Sequence, residues 1–398
     1  MTPMVSPRVP NKRILCFTSY YLPGFKNGGP VRSLLNICQW LGEEYRFRVV
    51  TRDRDRGDTQ AYAGRAPEVW HPVAGAHVWY LPAPYWSPSR LRRVVMETSP
   101  DLLYFHSSLD PALTIMPLVL RRLGLLPQTM PVLVAPRGEL SPGALSLKRT
   151  KKLAYIHAAK WLGLYRNVIW HATSPEEERL IRLWWGTHAK VGTAGNLPAR
   201  VNEAGAGCRT PKQAGMLRLV FLSRISPKKN LSAVLKILAD VKVRITFDIY
   251  GPTEDKTYWD MCQSLIARLP LNIEVGYKGW VCPDDVVPTL SRYDVFIFPT
   301  LGENFGHVIF EALMAGCPVL LSDQTPWRNL RERKAGFDLP LERQDLFRES
   351  IETFATMDEK EFKTWSDSSR LYAQSRINID ALLTETRNML DQGTTTKS

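Results

Sequence analysis

Residues 293–325, YDVFIFPTLGENFGHVIFEALMAGCPVLLSDQT, leave this chain few folds to choose from. The run Val295-Phe296-Ile297-Phe298 is apolar without alternation, so it reads as a strand buried on both faces. It stops at Pro299, and a short polar loop carries Glu303. A helical pattern over 305–315 carries Glu311, and a second apolar strand covers 318–321. Strand, loop, helix, strand is a βαβ unit of a parallel sheet. The loop Gly302-Glu303-Asn304-Phe305-Gly306 offers backbone N–H groups at a helix N-terminus, where an anion can bind. Two carboxylates eight positions apart on one helix would stand roughly 12 Å apart along its axis. Carboxylates repel phosphate and accept from hydroxyls, so the pair suits two hydroxyl-gripping acids flanking an anion. A solvated loop glutamate and a surface helix glutamate account for the spacing equally well.

The same grammar recurs along the chain. Apolar strands are expected at 13–18, 47–51, 102–105, 132–135 and 169–173. After a stretch rich in Gly, Ala and Pro, they resume at 217–222, 244–250 and 272–277. The chain of 398 residues is 44% hydrophobic and can bury two cores. The expected organisation is an N-terminal domain over 1–198, a linker over 199–215, a C-terminal domain over 216–375, and a helix and tail over 376–398 that pack back toward the first domain. No apolar run reaches the length of a membrane span, no signal-peptide cleavage pattern opens the chain, and the six scattered cysteines read as reduced thiols. Together these imply a cytoplasmic location.

Polar and glycine residues at the ends of these strands are the candidate ligand contacts, because parallel α/β sheets bind ligands at that edge. In the first half they are Gly28 and Gly29, which an ordinary turn also explains, and His106, which a structural histidine also explains. In the second half they are Arg224 and Lys229, cations that a diphosphate requires and the two glutamates cannot supply. Asp53-Arg54-Asp55 is a bare D-x-D among arginines and reads as a chance match to a metal motif.

Charge is unevenly shared. Residues 1–200 hold 27 Lys and Arg against 13 Asp and Glu, net +14; residues 201–398 hold 25 against 26, net −1. A one-sided basic field favours acidic partners. The stretch 146–166 (SLKRTKKLAYIHAAKWLGLYR) reads as a basic helix with Ala154, Ala158, Trp161 and Tyr165 on one face. Such a helix suits an anionic membrane surface, and a core helix with a solvated basic side suits the pattern too.

Taken together, S-R-I-S-P-K-K-N-L at 223–231, I-Y-G-P at 249–252, G-W-V at 279–281 and Glu303-x7-Glu311 followed by E-A-L-M-A-G-C-P-V resemble the family 4 glycosyltransferases. In the first half G-G-P-V-R-S at 28–33 and P-R-G-E-L-S-P-G-A-L at 136–145 are similar to the same family. The resemblance implies the α/β GT-B fold, two Rossmann-like domains facing each other across a cleft. It implies a retaining, metal-independent hexosyltransferase without a cofactor, moving sugar from a nucleoside-diphosphate sugar to a glycan or lipid-linked glycan.

In that reading Arg224 and Lys229 hold the diphosphate, Glu311 the ribose and Glu303 a donor-sugar hydroxyl. Asn304, Phe305 and Gly306 offer backbone N–H groups, Gly28 and Gly29 close over the phosphates, Gly251 joins the donor site, and Val281 meets the base. His106 approaches the sugar, and Glu303, His106, Arg224 and Lys229 form the catalytic set. Arg137 and Glu139 are acceptor candidates. No residue matches a fixed nucleophile, which fits same-face attack through an oxocarbenium-like transition state, with the departing phosphate helping to take the acceptor proton.

Three alternatives stay open: a same-fold epimerase or phosphorylase, a sugar-binding protein without turnover, and a basic nucleic-acid binder. Against the last, the positive charge is not gathered into a base-reading or stacking module, so no nucleic-acid partner is expected.

Overall fold

A computed structural model of the chain describes residues 12–24, 26, 28–146, 149–200, 210–253 and 255–392. Two compact α/β units emerge, residues 1–200 with 379–398, and residues 201–378.

The first unit is built on eight strands: β1 (Lys12–Phe17), β2 (Tyr45–Arg52), β3 (Trp70–Val73), β4 (Ala76–Leu81), β5 (Leu102–Phe105), β6 (Val132–Val134), β7 (Ile169–Ala172) and β8 (Lys190–Thr193). Their order across the sheet is β3-β4-β2-β1-β5-β6-β7-β8, and only β3 runs antiparallel to its neighbour. Apolar residues on both faces of β1 explain why it is central. Ile14 and Cys16 enter the core on one side of the sheet, Leu15 and Phe17 that on the other.

The second unit has six parallel strands: β9 (Met216–Leu222), β10 (Arg244–Tyr250), β11 (Ile273–Gly279), β12 (Val295–Phe298), β13 (Val319–Ser322) and β14 (Gly336–Leu339), in the order β11-β10-β9-β12-β13-β14. Strand order reverses between β1 and β5 in one sheet and between β9 and β12 in the other. These are the topological switch points, where loops from adjacent strands diverge to opposite faces and leave a crevice at the carboxyl edge.

Of the expected linker, residues 201–209 lie outside the described residues. Residues 210–215 pack onto the second unit: Lys212 is buried and its ammonium donates to the carbonyls of Gln213 and Met216. The last helix, Ile379–Gln392, belongs to the first unit through an Arg387–Glu44 pair and a Lys12–Asp391 pair.

The basic stretch departs from its expected orientation. The helix runs Arg149–Trp161 and turns Ile156 and Ala159 inward, while Ala154, Ala158 and Trp161 face solvent. Tyr165 lies beyond the helix and is buried against Trp170 and Trp185. The expected face is therefore split, because the core takes its contacts from the side carrying the branched Ile156. Trp161 is left 87% exposed.

Candidate active site

At the switch point of the second unit, loops following β9, β12 and β13 are sewn together. The polypeptide leaves β9 through Ser223 and Arg224, and a single 3-10 turn forms at Pro227–Lys229. It closes on Asn230, held at φ 61°, a left-handed conformation that Asn tolerates better than most residues. This turn is bonded to the loop after β12. The Leu301 N–H donates to the Lys228 carbonyl at 2.9 Å, and the Asn230 side-chain amide donates to the Pro299 carbonyl at 3.0 Å. The loop after β13 joins through Ser322 Oγ donating to Thr300 O at 2.5 Å and the Glu303 N–H donating to Gln324 O at 3.1 Å. Gly251 closes the β10 side: its φ is 136°, and a Cβ there would lie 1.8 Å from the Ser223 carbonyl oxygen.

Lys229 and Glu303 meet in this frame as a largely buried ion pair, with Thr300 Oγ1 donating to the same carboxylate oxygen at 3.2 Å. Burial pulls the Lys229 ammonium below its ordinary pKa, and the nearby charges of Arg224 and Lys228 add to that; Glu303 works the other way. Among the described residues, Arg224 and Lys228 thus lie near the Lys229–Glu303 pair, a setting of mixed charge that suits an anion beside a hydroxyl. An arriving phosphate would share Lys229, and Glu303, repelled by phosphate, is suited to a hydroxyl beside it.

Glu311 sits on the helix His307–Met314 and is only 3% exposed, which rules out a surface glutamate. Glu303 precedes that helix by four residues, so the two acids do not share a helix and the 12 Å axial separation expected for such a pair does not apply. The helix starts at Gly306, held at φ 76°. Among the described residues the backbone N–H groups of Asn304, Phe305 and Gly306 have no acceptor within the protein. Phe305 is fixed by Trp327, whose indole N–H donates to the Phe305 carbonyl at 2.7 Å. Val281 packs partly into the core and lines a shallow pocket of about 340 Å³ with Trp280, Pro288 and Thr289.

A second polar cluster marks the switch point of the first unit. His106 follows β5 directly and is 3% exposed; burial, together with the charge of Arg137, holds its pKa well below the ordinary value. Arg137 Nη2 donates to His106 Nδ1 at 3.3 Å and to the Tyr104 hydroxyl at 3.0 Å, and Nη1 donates to Asn196 Oδ1 at 3.0 Å. Glu139 is turned onto the loop after β5. Its carboxylate accepts from Ser107 Oγ at 2.6 Å, from Ser108 N–H at 2.6 Å and from Leu109 N–H at 3.2 Å. Both its oxygens are engaged in shaping that loop. Gly28 lies at φ 61° and heads the helix Gly29–Leu41, and a Cβ on Gly29 would meet nothing within 4 Å. Asp53 and Asp55 are each engaged within the fold: Asp53 pairs with Arg54, and Asp55 accepts from the Lys26 N–H.

Sequence reasoning missed Trp327, Thr300, Asn196 and the Tyr104–His171 pair. None follows a periodic pattern, and each matters only through a partner distant in the chain. Asn230 stood inside a recognised motif, but its left-handed turn did not show there.

Two parallel-sheet units with such clusters at their switch points define the GT-B class. Solved structures share the fold along nearly the whole chain. Sucrose-phosphate synthase of Thermosynechococcus elongatus superposes with a TM-score of 0.70 at 14% identity, covering 96% of this chain and 99% of that one. Anabaena HepE in complex with UDP-glucose gives 0.67 at 16% identity, over 96% and 100%.

Residues 210–366 match the model of the family "Glycosyl transferases group 1". The phosphatidyl-myo-inositol mannosyltransferase of Mycobacterium leprae is 24% identical over 82% of this chain and 82% of its own length. The alpha-monoglucosyldiacylglycerol synthase of Streptococcus pneumoniae is 30% identical over 30% of this chain and 27% of its own. The family match over residues 210–366 and these relatives together support a GT4-like glycosyltransferase that uses nucleotide sugars.

Proposed function

We propose that the enzyme transfers a hexose from a nucleoside-diphosphate sugar to a glycan acceptor carried on a lipid, with retention of configuration, in the synthesis of cell-surface polysaccharide or glycolipid. The observation that carries this is the Arg224, Lys228 and Lys229 cluster against Glu303 at the second unit's switch point. Arg224, Lys229 and the amides of residues 304–306 stabilise the leaving diphosphate as charge develops on it, which is how a preorganised site accelerates such a step without a protein nucleophile. Glu303 grips a hydroxyl of the transferred sugar and Glu311 the ribose. The acceptor hydroxyl attacks from the face the phosphate leaves, its proton passing to the departing phosphate oxygen, and no metal takes part.

The lipid part of the reading, and a peripheral place on the cytoplasmic face of a membrane, are supported by one exposed surface of the first unit. Trp161, Leu162, Leu123 and Leu125 are all exposed, and the segments carrying them are joined through Arg122 and Leu162. Arg122 donates to the Leu162 carbonyl and Arg92 to the Leu125 carbonyl, each at 3.1 Å, so cations border the apolar residues. Amphipathic aromatics ringed by arginine suit an anionic interface. No helix among the described residues is long and apolar enough to cross a membrane. The two relatives named above each carry a lipid in their names, phosphatidyl-myo-inositol in one and monoglucosyldiacylglycerol in the other.

A thermal-shift panel of nucleoside diphosphates and their sugars tests the donor reading, because a ligand that binds the native state raises Tm by mass action. No response to any nucleotide counts against it. Flotation with phosphatidylglycerol-containing vesicles tests the lipid reading. Binding that weakens with salt and is lost in Trp161→Ala supports it, and no binding at low salt sinks it.

A further inference from the structure

Buried hydrogen bonds in the first unit can be given directions, because one end of the chain of bonds is a backbone carbonyl and its middle is a guanidinium. A carbonyl only accepts and a guanidinium only donates. His171 Nε2 lies 2.9 Å from the Ala194 carbonyl, so that nitrogen carries a proton. Its Nδ1 lies 2.5 Å from the Tyr104 hydroxyl. Arg137 Nη2 donates to the same hydroxyl oxygen, which leaves the tyrosine proton for His171 Nδ1. The second N–H on Arg137 Nη2 points to His106 Nδ1, which must therefore be the unprotonated nitrogen. Burial and the Arg137 charge hold both imidazoles neutral. A neutral imidazole has one proton, so on His106 it is on Nε2. That nitrogen is buried and has no acceptor among the described residues.

Arg137 is itself held for this task. Its backbone lies at φ 53°, unusual for a residue with a side chain, and Nη1 is tied to Asn196 Oδ1, which also accepts from Ser33 Oγ at 2.8 Å. A strained backbone, an anchored guanidinium and a neighbouring N–H left without a partner are costs that a ligand supplying an oxygen would offset.

We propose that Arg137 is a positioning residue that locks His106 as the Nε2–H tautomer, so that the histidine which the family resemblance already brings to the donor sugar can meet it only as a hydrogen-bond donor and not as a general base. The ligand class rests on the glycosyltransferase reading above; the proton order does not.

Long-range 1H–15N correlation on the full chain labelled with 15N-histidine, with His106 assigned by its loss in His106→Gln, reads the tautomer directly. His106 is expected to show Nε2–H from pH 6 to pH 8 without titrating. A proton on Nδ1, or a midpoint near the ordinary histidine value of about 6.5, overturns the proposal. Arg137→Met is expected to free Nδ1, so that an Nδ1–H population appears beside Nε2–H while burial keeps the ring neutral, and an unchanged spectrum overturns the lock. Should Arg137→Met fail to fold, the wild-type spectrum still decides.

For the ligand, His106→Gln keeps an N–H near the Nε2 position and His106→Leu does not. Turnover is expected to be lower in the leucine variant by on the order of tenfold. Equal activity in the two overturns the donor role. Failure of every nucleotide to bind would remove the ligand class while leaving the tautomer result standing.

Discussion

The Lys229–Glu303 pair shows how much depends on context at the level of one side chain. In sequence the lysine sits in a K-K turn that would ordinarily be solvated. In the fold it is largely buried, beside Arg224 and Lys228, with Glu303 as its counter-charge. Removing the lysine takes away a cation and leaves a largely enclosed carboxylate without its ion-pair partner. Lys229→Met is therefore expected to weaken nucleoside-diphosphate binding by roughly tenfold or more, measured by titration calorimetry. The two glutamates should separate in the same assay. Glu311→Ala is expected to raise the nucleotide Kd, and Glu303→Ala to depress kcat more than it alters Kd. Equal loss of nucleotide affinity in both would overturn that division of labour.

Among secondary-structure elements, the central strands were legible because runs such as VFIF have one physical reading, burial on both faces. The edge elements β3, β8 and β14 were not, and neither was β4, which lies inside the sheet but is absent from the expected strands. Each of those three edge strands has four residues, and none is uniformly buried, so no period shows in the sequence. The face of the helix Arg149–Trp161 was misassigned for a related reason: more than one stripe of that basic helix is moderately apolar, and only packing selects between them. Glycine positions make sharper predictions. Gly251→Ala forces a Cβ to within 1.8 Å of a carbonyl oxygen at a φ side chains avoid, and should destabilise the second unit by about 2–4 kcal/mol in urea unfolding. Gly29→Ala, with open space around it, should stay within about 1 kcal/mol. Similar losses in both would mean that the close approach at Gly251 does not matter.

Across the whole molecule, the two buried histidines couple stability to pH. His106 and His171 are held well below about 6.5 in the native state, whereas the unfolded chain titrates near that value. Below pH 6.5 the unfolded state binds protons that the native state refuses, so stability falls as pH falls; above it both states are neutral and the contribution is complete. Each histidine adds a slope of about 1.4 kcal/mol per pH unit in that window. The urea midpoint of the first unit should therefore drop between pH 7 and pH 5, and His106→Gln should flatten the slope by one proton; an unaltered slope would contradict neutral burial.

The chain's periodicity and polarity, being local, were enough to establish a parallel α/β protein with cations and acids at the carboxyl ends of its strands. They were also enough for the resemblance to a glycosyltransferase family. Strand order was not local. Which strands neighbour one another decides where each sheet reverses, and so which loops converge: 223–230 with 299–303 in one unit, and the ends of β5 and β6 in the other. The direction of the protons around Arg137 was further out of reach, because it follows from Ser33, Tyr104, His171, Ala194 and Asn196 meeting in space. A hydrogen bond's sense is set by the partners that tertiary folding brings together, and no spacing along the chain encodes it.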